Sequence, residues 1–175
     1  MKIVHINNKE IKFALDLAKK RHDAKPDSIR NTGILIDRDK NNPLQNYLPH
    51  LIGIFGEMAW AKYTNRKVDE AIYSIRDSED FDGEEVKTIT YYGSGEPELK
   101  IKVTEYNTKK PNNYILVRTS KQKIEKILTE NFEEIDVELL GYISRKDFDQ
   151  KKTKKQYGYN NPLNYVVSLS QMKAV

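Results

Sequence analysis

The 175-residue sequence contains no cysteine. Disulfides and thiolate chemistry are therefore excluded, and the lack suits a reducing compartment. Histidine is scarce as well: the three present do not have the spacing of a metal-ligand pair, so zinc is not expected. No apolar run is long enough to cross a membrane, and the opening MKIVHINNKE lacks the apolar stretch of a secretory signal. A soluble cytoplasmic protein is the expectation. There is no internal repeat and no linker of domain scale, and the length suits one domain with a real core.

What the chain does have is charge. Charged residues make up 32% of it, with a formal net charge of +4, a balance that permits a polyanionic partner without requiring one. The distribution says more than the total. Acids gather in DSEDFDGEE and lysines in KKTKK near the C-terminus. An acidic pocket on a basic chain is what a metal site facing a phosphodiester requires.

Asn7 with Glu10 three residues on reads as a capping box, with Ile6 and Ile11 at the staple positions; Ile11, Ala14, Leu15 and Ala18 then recur at helical spacing. A second helix is expected from Pro49 to about Tyr63, since proline suits a first turn. Its stripe of Leu51, Phe55, Met58 and Ala59, widened by Ile52 and Ile54, marks it as buried, and Gly53 and Gly56 fit close approach to a sheet. Between the two helices, HDAKPDSIRNTGILIDRDKNNPLQNYLP reads as a long, partly ordered loop over a groove. From Ala71 onward strands dominate: AIYSI, then EEVKTITYY after the Asp82-Gly83 turn, then LKIKVTEY and YILVRTS around a turn at TKKPNN. A helix at KQKIEKILTENF, a strand at DVELLGYI, a basic loop and a last strand at YVVSL complete the chain.

The stretch DFDGEEVKT concentrates the chemistry. Asp-Gly between two extended stretches signals a two-residue hairpin of type I′. In that register Phe81 pairs with Glu84, Asp80 lies opposite Glu85, and Lys87 emerges on the Glu85 face. Phe81 and Val86 point the other way, toward a core. Like charges placed opposite each other destabilise a ladder, so the two carboxylates must share a proton, find a cation or stay wet. A divalent ion resolves the conflict. Oxygen ligands suit Mg²⁺ or Mn²⁺, and the adjacent lysine is placed to orient a metal-bound water or to stabilise charge on a phosphate. A solvated hairpin tip accounts for the same charges, and E-x-K also occurs at Glu10-Ile11-Lys12 and Glu98-Leu99-Lys100. The first of these lies in a helix, where residues two apart do not face each other, and the second has no aspartate across a turn.

These residues resemble those of the PD-(D/E)XK nuclease superfamily, whose hallmark is an aspartate at a strand end followed by E-x-K or D-x-K on the next strand. Asp80, Glu85 and Lys87 match in order and type. Upstream, HLIGIFGEMAWAKY is similar to the G-x-x-G-E-x-A helix of many members and places Glu57 as a further acid; VELLGYISRKDF is similar to the strand and helix start that close small phage and prokaryotic members. The matches span about Pro49 to Phe148. Glu79 stands where the family name puts proline, and two strands intervene before the second helix of the usual α-β-β-β-α-β core.

The resemblance implies an α/β (α+β) fold: a restriction-endonuclease-like core with a central mixed sheet flanked by helices, in a single domain. Residues 49–175 would form that core with the basic C-terminal loop and last strand. Residues 1–48, a helix and a long loop without counterpart in the family pattern, would pack on it. Asp80, Glu85 and the Val86 carbonyl would hold one Mg²⁺ or Mn²⁺, Lys87 would position the attacking water, and Glu57 would complete the pocket directly or through water. Asp82, inside the turn, ranks behind Asp80 because aspartate there is explained by backbone preference. The implied activity is metal-dependent hydrolysis of phosphodiesters, DNA being favoured over RNA by analogy with the family.

A nucleic acid has candidate contacts in Lys151, Lys152, Lys154 and Lys155, followed by Tyr157 and Tyr159, with Arg145 and Lys146 upstream. Lysines supply salt-dependent phosphate affinity and tyrosines stack on bases, although a solvated loop explains the same residues. The turn Lys109-Lys110 is a second, weaker basic patch. His50, two helical turns before Glu57, is placed to touch a phosphate or support Glu57, or simply to sit at a helix start. The alternative to a nuclease is a catalytically silent or partner-dependent module that binds nucleic acid or protein on the same fold. An intact Asp80, Glu85 and Lys87 favours catalysis, since a binder gains little from acids beside a polyanion. A homodimer or a partner protein is compatible with this, but no coiled coil or apolar surface stripe announces one.

Overall fold

The computed structural model describes residues 1–24, 43–70, 72, 80–90, 93–129 and 134–175. The expected strand AIYSI falls almost wholly outside the described residues, as does most of the expected long loop. The first residues form a strand that the sequence reading does not contain. Lys2–Asn7 is β1, with Val4 and Ile6 turned inward between exposed neighbours. Asn7 ends it and caps helix α1 (Asn8–Asp23): its Oδ1 accepts from the Glu10 N–H at 3.0 Å, while its own N–H donates to Glu10 Oε2 at 2.8 Å. The expected capping box is present. Ile11, Ala14, Leu17 and Ala18 form the buried stripe, so Leu17 takes the place assigned to Leu15, which is only partly buried.

Helix α2 starts one and a half turns earlier than expected, at Pro43 rather than Pro49, and runs to Tyr63. Two prolines compete for the first turn, and the upstream one takes it. Pro49 is then exposed within the helix, where it forfeits one backbone bond while the following residues Leu51, Ile54, Phe55, Met58 and Ala59 are buried. The helix lies tightly on strand β2 (Glu84–Ile89). A Cβ built on Gly56 would stand 1.9 Å from Thr88 Oγ1 and 3.2 Å from Thr88 Cβ, so this glycine is what lets helix and strand approach. Gly53 has no such role, its nearest neighbour being Glu57 Oε1 at 3.9 Å.

Strand β3 (Glu98–Lys102) is shorter than expected, because VTEYNT continues as helix α3 (Val103–Thr108). Strand β4 (Asn113–Arg118), helix α4 (Lys121–Thr129) and strand β5 (Glu134–Ser144) follow. Helix α5 (Arg145–Lys151) begins directly at the Ser144 N-cap, whose Oγ accepts from the Asp147 N–H at 3.1 Å. The segment expected as a free basic loop contains a short strand, β6 (Thr153–Lys155), before β7 (Asn164–Ser168) and a terminal 3₁₀ turn.

Among the described residues the strands make a mixed sheet of order β1-β5-β4-β2, in which only β2 and β4 are parallel, and a second antiparallel sheet of order β3-β7-β6. β4 is central. Tyr114 through Val117 are all buried, as a strand covered on both faces requires. One face of the mixed sheet packs Ile115, Val117, Ile135 and Val137 against α1, α2 and α4; the other packs Tyr114, Leu116 and Ile143 against Leu99, Ile101 and Val167 of the second sheet and Phe148 of α5. Strand β5 serves both cores through a register shift opposite Leu116 and Val117. Leu139 faces the helices, Leu140 the second sheet, and the alternation inverts thereafter. The result is a single domain with a mixed sheet flanked by helices. No helix among the described residues is long and apolar enough to cross a membrane.

The asymmetry between the two α2 glycines is testable by urea unfolding. Gly56→Ala should cost about 1–3 kcal/mol through overpacking against Thr88, whereas Gly53→Ala should be neutral or gain up to about 1 kcal/mol of helix propensity. Removing the obstruction with Thr88→Ala should recover part of the Gly56→Ala loss, and additive effects would contradict the contact.

Candidate metal and phosphodiester site

The acidic turn is a hairpin one pair long. The Phe81 N–H donates to the Glu84 carbonyl at 3.1 Å and the Glu84 N–H to the Phe81 carbonyl at 2.9 Å, so the expected Phe81–Glu84 pairing is present. Its turn type differs. Gly83 has φ +71°, and Asp82 is not among the residues of positive φ, which is the pattern of a type II turn rather than type I′. The turn docks on the start of β4, where the Gly83 carbonyl accepts from the Asn112 and Asn113 N–H groups at 2.7 and 3.1 Å.

Asp80 therefore does not sit opposite Glu85 in a continued ladder. It bends back along the side of β2 away from β4, where its Oδ2 accepts from the Val86 N–H at 2.8 Å. Among the described residues, β2 is an edge strand of the mixed sheet. A strand residue sends its N–H and C=O to the same side, so the Val86 carbonyl points to the same side of β2 as Asp80. Phe81 and Val86 are buried toward the helices, as expected.

Glu85 and Lys87 emerge on the other face, beside Tyr114 of β4, and Glu85 is only 2% exposed. Lys87 Nζ donates to Glu85 Oε1 at 2.7 Å and also to Glu105. Lys109 Nζ bridges both oxygens of Glu85, at 2.8 Å to Oε1 and 3.0 Å to Oε2. Glu105 is not among the expected site residues, and Lys109, expected only in a weak basic patch, is turned onto Glu85 instead. Their signal is the i,i+4 spacing in TEYNTK, masked because the stretch reads as the end of a strand.

The electrostatics of this cluster are unusual for a lysine-rich setting. Burial, then the nearby charge of Glu57, pushes Asp80 up to about 6, against the opposing pull of Lys109, the Val86 N–H and Lys87. Burial and the charge of Asp80 push Glu85 up to about 7, although two ammonium groups touch it. Desolvation wins over the ion pairs. Burial also works against the charge of Lys87, but Glu85 and Glu105 outweigh it and raise its pKa above the ordinary lysine value. Lys87 is thus favoured as an ammonium, a form that donates hydrogen bonds and accepts none.

Glu57 is buried, as expected, but its partner is an arginine from α1: Arg21 holds it bidentately at 2.9 and 3.0 Å and also donates to the Asp69 carbonyl at 2.8 Å. Among the described residues, no three Asp, Glu or His side chains are spaced to hold a metal ion together. Glu85 and Lys87 are in contact, while Asp80 acts on Glu85, and Glu57 on Asp80, by charge rather than by contact. His50 packs its ring edge-on against His22 of α1 at 5.9 Å.

The basic C-terminal residues are tied to the second sheet. Lys151 donates to the Gln171 carbonyl at 2.8 Å; Lys152 pairs with Asp149 at 2.6 Å and lies over the Tyr106 ring; Lys155 pairs with Glu98 at 2.5 Å. Lys154 stands 5.8 Å over the Tyr165 ring, and Tyr157 donates to Glu98 beneath Lys100. Tyr159 is 97% exposed at the tip of the β6–β7 connection. Comparison with protein-family models, curated proteins and solved structures finds no match.

The raised acids have a stability signature. Unfolded carboxylates titrate near 4, whereas Asp80 and Glu85 titrate near 6 and 7, so between those values the folded chain holds more protons. Stability should therefore fall as pH rises through that window. Asp80→Asn keeps an oxygen for the Val86 N–H, removes one acid and lowers its neighbour. It should flatten the pH profile of Tm and raise Tm near pH 8; an unchanged profile would refute the desolvated pair.

Proposed function

We propose that the chain is a metal-dependent nuclease with a restriction-endonuclease-like core, a member of the PD-(D/E)XK kind that hydrolyses DNA phosphodiesters. The observation that carries the reading is the cluster at the edge of β2: two desolvated carboxylates, Asp80 and Glu85, both disposed to hold protons, with Lys87 against the second. Charge is missing there. Mg²⁺ or Mn²⁺ fits the donors, since such ions take one or two carboxylates and keep several waters for a phosphate. Asp80, Glu85 and the Val86 carbonyl would hold the ion, with Glu57 adding negative field from the helix side. When bound, it would lower the pKa of a coordinated water and stabilise charge on the phosphate.

The remaining roles belong to side chains. Lys87, held protonated by Glu85 and Glu105, orients a water or a phosphate oxygen by donating to it. Asp80 is held at the strand edge by the Val86 N–H, which limits its rotamers before any ion arrives. Lys154, Tyr157 and Tyr159 present a basic and aromatic surface suited to backbone phosphates and unstacked bases. The occupation of Glu85 by two lysines favours a second reading, a catalytically silent or partner-dependent nucleic-acid-binding module.

Purified protein should nick or degrade DNA with Mg²⁺ or Mn²⁺, and EDTA should abolish this. Lys87→Ala should lower turnover by about 10²-fold or more while DNA binding persists. Asp80→Asn should also be inactive, which controls for contaminating nuclease. Equal cleavage by Lys87→Ala and wild type defeats the mechanism. Metal-independent DNA binding without cleavage supports the second reading.

A further inference from the structure

Lys109 has no part in the hydrolysis outlined above, yet it makes the most complete contact in the site. Its ammonium bridges both Glu85 oxygens, at 2.8 and 3.0 Å, and its side chain is 17% exposed. Lys87 reaches only Oε1 of Glu85 and donates directly to Glu105, from which Lys109 stands farther off, at 3.9 Å. The two lysines are thus unequal. Lys87 is fixed by carboxylates on β2 and α3, while Lys109 spans the carboxylate edge that an oxygen-seeking cation would use.

We propose that Lys109 is an internal counterion that a divalent cation must displace from Glu85, so that it sets the affinity of the site for metal. This rests on the reading of Asp80 and Glu85 as metal ligands. The displacement needs no backbone motion. The Lys109 carbonyl accepts from Arg145 Nη1 at 2.8 Å, its N–H donates to the Glu105 carbonyl at 2.8 Å, and the Asn112 N–H is bonded to Gly83 at 2.7 Å. Only the flexible four-carbon stem has to swing. Until it does, the ammonium partly compensates a carboxylate that burial would otherwise leave without a counter-charge. The empty and loaded states therefore share one backbone, with a monovalent side-chain cation exchanged for a divalent one.

The probe is Mn²⁺ alone, with free ion followed by electron paramagnetic resonance. Lys109→Met should bind Mn²⁺ about tenfold more tightly than wild type, the scale of one charge-assisted hydrogen bond. Lys110→Met makes the same charge change at the exposed neighbouring residue and should leave the affinity unaltered. In wild-type protein, which serves if Lys109→Met does not fold, reductive methylation should spare Lys109 without metal and modify it at saturating Mn²⁺. Equal affinities for wild type and Lys109→Met, an equal gain in Lys110→Met, or unchanged protection of Lys109 with Mn²⁺ bound would each overturn the displacement while leaving the metal site standing. No Mn²⁺ binding by wild type or Lys109→Met would remove the metal site itself, and the inference with it.

Discussion

A carboxylate that is almost fully enclosed governs this molecule's chemistry. Glu85 is 2% exposed, and two ammonium groups within 3.0 Å do not restore its ordinary acidity. Loss of hydration is the larger effect, because each ammonium is itself partly desolvated and both are shared with Glu105. A divalent ion would act differently. It carries twice the charge and sits at about 2.1 Å from a ligand oxygen, nearer than any ammonium, so its Coulomb attraction is more than doubled at equal dielectric. Under the proposed function, the same burial that destabilises the carboxylate alone would favour such an ion.

The fold creates that enclosure through one topological requirement. β2 and β4 are parallel neighbours, so the chain must cross over between them. Here the crossover is β3, which leaves for the second sheet, and α3, which returns over the Glu85 face. Glu105 and Lys109 are carried on that return. On the opposite face Gly56 lets α2 settle on Thr88, placing Glu57 close enough to raise the proton affinity of Asp80. The site is thus gripped from both faces of an edge strand, and the edge itself holds Asp80 and the Val86 backbone.

Much of this arrangement is legible in the sequence, and the boundary is physical. The capping box of Asn7 and Glu10, the buried helix of Phe55 and Met58, and the common face of Glu85 and Lys87 all depend on neighbours a few residues apart. Where reading went astray, two local patterns were in competition. Pro43 and Pro49 both suit a helix start, and KVTEY alternates well enough to pass as strand although its second half is helical. β1 went unseen because the helix signals that follow dominate so short a stretch.

By itself the sequence determined which side chains leave β2 together, because strand alternation acts over a handful of bonds. The turn type, and with it the place of Asp80 beside the Val86 N–H, differs from the expectation. Only the tertiary structure decided that Arg21, 36 residues from Glu57, and Lys109, 24 residues from Glu85, become their counter-charges. It also decided how little water reaches the acids. Hydration is lost to whatever covers a group, and the covers here, α2, α3 and the second sheet, come from distant parts of the chain.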